Sequence, residues 1–149
     1  MSTQNKKPTK EAREILNNIK KLDAIIQNKI SEKEQWQALA FATTSRISED
    51  KVQTTPNPQR KSEAMDKAID IEIEIDRLID RLIYEKREVI RLLEQLPAIE
   101  YDTLHRMYLQ NFELDDVARR YKKSYSWAKN IHFRAIVNLQ KLLDSEKKD

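Results

Sequence analysis

None of the 149 residues is glycine. Glycine supplies left-handed backbone positions, tight hairpins and close approach of the main chain to a phosphate without steric cost. A chain without it is poorly suited to phosphate-cradling loops, dinucleotide-binding folds and most sheet architectures. Helices joined by short turns remain, so the expected fold class is all-α. Cysteine is also absent, which removes disulfides, thiolate chemistry and cysteine zinc sites together. The opening MSTQNKKPTKEAREI has no long apolar stretch, so neither a signal peptide nor a membrane anchor is expected there. A cytoplasmic location is expected.

Hydrophobic spacing divides the chain into segments. Residues 1–8 read as a disordered N-terminus, with Thr9 as N-cap of the first helix. Ile15, Ile19, Leu22 and Ile26 alternate four and three apart, the seam of a coiled coil. Leu16 and Ile30 widen it, Lys29 and Lys33 interrupt it, and Trp36, Leu39 and Ala40 resume it. At ~1.5 Å per residue, a helix over 9–42 would be 50 Å long. Between 43 and 61 the period stops, and TTSRISEDKVQTTPNPQRK, with Pro56 and Pro58, reads as a connector. A second amphipathic helix begins near Ser62. Its seam is Ile75, Ile79, Leu82, Val89, Leu93 and Leu96, flanked by Ile71, Leu78, Ile83 and Ile90, with Glu72 and Lys86 on the same stripe. Either helix alone would leave a long apolar stripe in water. The two can fold back on each other, assemble between chains, or both. The organisation is thus a helical body over 9–96, a separate domain over 97–143 and a tail over 144–149.

Pro97 breaks the second helix, and three short helices are expected beyond it, over 98–110, 113–121 and 125–143. Leu114, Val117, Ala118 and Tyr121 share one face, Ala118 being small enough to let a following helix cross closely. Lys122 and Lys123 make the turn, and Ser124 is a good N-cap. On the last helix Ala128, Ile131, Ala135, Ile136 and Leu139 point inward. Tyr125, Ser126, Lys129, Asn130 and Arg134 point outward. A helix, a short turn and a second helix with polar and basic residues on its leading turns is the helix-turn-helix arrangement, which seats the second helix in the major groove. The net charge of +3 says little, but Val117 to Leu143 holds seven Lys/Arg and no carboxylate. A solvated helix face normally mixes both signs; a one-signed block is the footprint of a nucleic-acid surface. Tyr125, Ser126, Lys129 and Asn130 are the expected base-facing residues. Arg119, Arg120, Lys122, Lys123, Ser124 and Arg134 are expected toward phosphates.

LPAIEYDTLHRMYLQNFELDDVARRYKKSYSWAKNIHFRAIVNLQKLL resembles the fourth region of bacterial sigma factors, which reads the −35 promoter element. The resemblance is carried by Leu96-Pro97, Leu104 to Tyr108, Leu114 to Ala118, Ser124, Ile131, Arg134-Ala135-Ile136 and Leu139. It implies base reading at Tyr125, Ser126, Lys129 and Asn130. Tyr125, Ser126 and Trp127 replace the Arg or Glu usual in that family, and Lys123 an apolar residue, so a standard promoter element is not the expected target. Adding WQALAFATTSRISEDKVQTTPNPQRK and the IHFRAI run, residues 36–143 resemble small proteins from phages of Gram-positive bacteria, grouped with late-gene activators of the ArpU and RinA type. That resemblance implies a phage regulator that activates packaging and structural genes in the host cytoplasm. Its implied partners are promoter duplex DNA, host RNA polymerase and further copies of itself through the N-terminal helices.

The remaining residues carry blander readings. His132 could touch a phosphate, or half-bury against Phe133 and Leu139; packing is favoured. His105 reads as structural or surface, with no second ligand type at metal spacing. Trp127 is an exposed aromatic or, the favoured reading, a wedge against Tyr121, and Trp36 reads as an anchor of the helical hairpin or of the connector. Asp70, Glu72, Glu74 and Asp76 read as a solvated surface, not a metal site. No cofactor is implied, and no Ser/His/acid set with enzymatic spacing is present. The competing function is a packaging component of the small-terminase kind, which would bind DNA as an oligomeric ring.

Overall fold

Apolar residues three and four apart become helices throughout. The computed structural model describes residues 8–49 and 58–148. It contains α1 (Lys10–Glu49), α2 (Pro58–Leu93), α3 (Ala98–Leu109), α4 (Leu114–Tyr121) and α5 (Tyr125–Lys147), with no strand among the described residues. The chain is all-helical. No helix of the described residues is long and apolar enough to cross a membrane.

Two boundaries differ from expectation. Residues 43–49 continue α1 and 58–61 already belong to α2, so both flanks of the expected 43–61 connector are helix. A pair of threonines lowers helix propensity by only a few tenths of a kcal/mol per residue, too little to stop a helix already running. Pro58 opens α2 instead of blocking it, because a helix's first turn has no use for the missing N–H and the ring's fixed φ suits it. The centre of the connector, 50–57, lies outside the described residues, as does the segment 1–7 expected to be disordered. At the other end α5 runs on through Lys147, taking in most of the expected tail.

The chain divides into two compact units, Met1–Leu22 with Leu82–Asp149, and Asp23–Arg81. In the second, Ile26, Ala40, Ala64, Ala68, Ile71 and Ile75 are buried. The lysines that interrupt the α1 seam find partners there: Lys29 Nζ lies 2.7 Å from Glu74 and Lys33 Nζ 3.5 Å from Glu72. Glu72 and Glu74 are therefore paired rather than merely solvated. The Glu74 carboxylate, hydrogen-bonded to Lys29, is held below its ordinary pKa, and Lys29 is raised by the same bond. Leu39 and Ile79, expected in the seams, are instead exposed, together with Met65, Ile69 and Ile73.

The first unit joins the start of α1 to the end of the chain. Leu16, Ile19, Leu93, Leu104, Ile136 and Leu139 are fully buried there. The first N–H groups of a helix have no partner within it. In α1 one of them, Ala12 N–H, donates to Gln140 Oε1 of α5 at 2.9 Å, in a buried bond. Glu11 meets Lys147 Nζ at 2.6 Å nearby. Thr9 itself is buried, and its Oγ1 accepts from Arg13 Nε at 3.1 Å. Glu100 is buried yet satisfied, since Asn138 Nδ2 donates to it at 2.6 Å.

Candidate nucleic-acid interface

α3, α4 and α5 pack on one another around Met107, Val117, Ala118 and Ala128, with Tyr108, Phe112, Leu114, Tyr121 and Trp127 closing the cluster. Ala118 is small and buried, which lets α5 approach α4. The inward set expected on α5, Ala128, Ile131, Ala135, Ile136 and Leu139, is buried throughout. Burying that set fixes which side of α5 faces water.

Local chemistry sets both ends of α4. Glu113 precedes it in extended conformation, and its backbone N–H donates to Asp116 Oδ2 at 2.9 Å. That bond, then Arg119 Nη2 at 2.7 Å, holds the Asp116 carboxyl below its usual range. At the far end Lys122 adopts φ 56° and ψ 43°, the left-handed region. Lys122 N–H donates to Arg119 O at 3.2 Å and Lys123 N–H to Ala118 O at 2.9 Å. These are the paired bonds of a Schellman motif, usually built on glycine. Here a lysine occupies the position. Asn111, at φ 61° between α3 and α4, supplies the other positive-φ turn among the described residues, and asparagine tolerates that region better than most side chains.

Three residues, 122–124, separate α4 from α5. Ser124 caps α5: its Oγ accepts from Trp127 N–H at 3.1 Å. Trp127 is half-buried and tilted against Tyr121, ring centres 5.5 Å apart, as the wedge reading expected. Tyr121 in turn donates its hydroxyl to Asp102, which also meets Arg106 Nε at 2.9 Å. Partial burial opposes the Asp102 charge, but the Tyr121 and Arg106 bonds outweigh it and hold the carboxyl low. Burial and the Asp102 bond raise Tyr121. A charge-assisted network thus locks the turn from α3.

On that support the four expected base-facing residues come together. Tyr125, Ser126, Lys129 and Asn130 are all exposed on the leading turns of α5. Arg119, Arg120, Lys122, Lys123, Ser124 and Arg134 are exposed as well. Arg119 carries an ion pair with Asp116, though at 77% side-chain exposure such a pair is weak and readily exchanged. The first turn of α5 holds no acidic residue, leaving the positive end of its dipole uncompensated.

His132 behaves as a packing residue, but against a different neighbour than expected. Its Nε2 lies 2.8 Å from Tyr108 Oη, with the two rings stacked. Burial, then Arg13 and Lys20, pushes its pKa down to about 4, so it is neutral at pH 7. Lys20 Nζ sits 5.1 Å over the Tyr108 ring. His105 contacts Gln110 and Tyr101 at the surface. Phe133, expected to pack on His132, is instead 50% exposed. The sequence reading placed it on neither the inward nor the outward side of α5. The signal was there: it falls four residues after Lys129 and three after Asn130, on the outward side.

No protein-family model matches the chain, and neither a curated protein nor a solved structure matches it.

Proposed function

We propose that the protein is a sequence-specific, duplex-DNA-binding transcriptional regulator in which α4, the 122–124 turn and α5 form a helix-turn-helix. The observation that carries this reading is the leading half of α5. Tyr125, Ser126, Lys129 and Asn130 are exposed within a stretch of seven cations and no carboxylate. A solvent-facing helix end with amide, hydroxyl and ammonium groups, flanked by cations, suits base edges and phosphates together. Tyr125, Ser126, Lys129 and Asn130 face bases, and Arg119, Arg120, Lys122, Lys123, Ser124 and Arg134 face phosphates. The resemblance of 96–143 to the fourth sigma region supports a promoter-proximal target. That of 36–143 supports a phage regulator which activates late packaging and structural genes in the host cytoplasm. In this reading α1 and α2 form a helical hairpin or coiled coil that joins copies and engages host RNA polymerase.

The test is selection of duplexes from a random pool, followed by fluorescence anisotropy across a salt series. A recovered consensus whose affinity falls steeply with salt is expected, with a slope of about −0.9 per phosphate neutralised. Failure to bind any duplex at low ionic strength overturns the proposal.

A further inference from the structure

We propose that Phe133 reads the 5-methyl group of a thymine in the bound duplex, an inference that rests on the DNA-binding reading and deepens it. Tyr125, Lys129 and Phe133 follow one another at intervals of four residues, which places them in a line along one side of α5. Phe133 therefore stands about 6 Å further along the helix axis than Lys129. That advance is close to two base-pair steps.

The phenyl ring is half exposed, while the inward side of the same helix buries Ile131, Ala135 and Ile136. Its outward neighbours are Lys129, Asn130 and Arg134, all exposed. The half-exposed phenyl ring keeps apolar area that contact with an external partner can bury. The exposed Lys129 and Arg134 and the Asn130 amide beside the ring suit a duplex, whose phosphates are anionic and whose base edges offer hydrogen-bonding groups. A phosphate has nothing to offer a ring whose face is itself electron-rich. In the major groove the thymine methyl is the apolar feature of a base edge, and phenylalanine is among the side chains that contact it. Cations that draw in the duplex and a ring that senses one methyl on it are complementary functions on the same face.

Replacing thymine by uracil removes that methyl and nothing else. The wild type and Phe133→Ala are titrated, by anisotropy, against the selected duplex and against a set carrying uracil at one thymine each. Circular dichroism establishes that the variant is folded, as expected for an exposed position. At one thymine the wild type should lose about four-fold in affinity, the equivalent of ~0.8 kcal/mol for one methyl-sized group. Phe133→Ala should bind the thymine and uracil forms of that duplex equally. Wild-type binding that ignores every methyl, or a methyl effect that survives in Phe133→Ala, overturns the role of Phe133 and leaves the DNA-binding reading standing. Absence of binding to all duplexes overturns both.

Discussion

Lys122 is the residue whose replacement should improve the fold while impairing the proposed DNA interface. It holds φ 56° at the end of α4 in a chain that has no glycine to place there. A side chain with a Cβ loses roughly 1–2 kcal/mol in the left-handed region. Glycine at that position avoids the clash, but gives back about 0.4–1 kcal/mol through the greater freedom of the unfolded chain. Lys122→Gly should therefore stabilise the protein by about 0.5–1 kcal/mol, keeping both bonds of the motif, Lys122 N–H to Arg119 O and Lys123 N–H to Ala118 O. For a chain of this size that raises Tm by about 1–4 °C.

Lys122→Ala is the control, since it removes the same ammonium and retains the backbone clash. Urea denaturation followed by circular dichroism should place Lys122→Ala within about 0.5 kcal/mol of the wild type, as an exposed substitution, and Lys122→Gly above both. On DNA the two variants should lose affinity together, because each forfeits one cation proposed to face a phosphate. Equal stability of the glycine and alanine variants would refute the strain argument. A glycine variant weaker than alanine would show that unfolded-state entropy, not the left-handed backbone, governs this turn.

Three further outcomes are expected from the same geometry. Ser124→Ala deletes the acceptor for Trp127 N–H and should cost about 1 kcal/mol, read by urea denaturation; a neutral result removes the capping role. Burial lowers the His132 pKa from 6.5 to about 4, so the unfolded chain takes up a proton before the folded one does. Its neutral state favours folding fully above pH 6.5. That advantage drains as pH falls from 6.5 toward 4, to a limit of about 3 kcal/mol. The difference in stability between wild type and His132→Gln, measured from pH 7 to 4, should shrink over that window; a constant difference contradicts it. On the selected duplex, Asn130→Ala should cost about 1–3 kcal/mol and relax sequence preference, whereas Arg120→Ala should weaken all duplexes alike. Competition binding against scrambled duplexes distinguishes the two patterns.

The helices were legible because each is written in residues three and four apart, and short-range spacing survives whatever the tertiary packing does. The same holds for the inward side of α5 and the Ser124 cap, which depend on neighbours within a turn. The connector was overdrawn because Pro58 reads equally as a stop or as the first residue of a helix. Only the structure, by starting α2 there, decides between them. Phe133 was left unassigned because an apolar letter in the run Ile131–Ile136 carries no mark of direction until its neighbours are known to be buried.

Long-range economy was the least legible. The absence of glycine argued against left-handed positions, yet the fold needs at least two and fills them with Asn111 and Lys122. The second of these stands between α4 and α5, where a glycine would give a less strained turn and one fewer cation. If α5 binds DNA as proposed, the charge of the exposed Lys122 has a use outside the protein that offsets the strain of its backbone. Nor does any local pattern announce that the α1 N-terminus is capped by Gln140, 128 residues away. That bond ties the N-terminus of α1 to α5, the helix proposed to meet DNA. Disturbing Gln140 should therefore loosen the frame behind α5 without touching a residue proposed to face DNA.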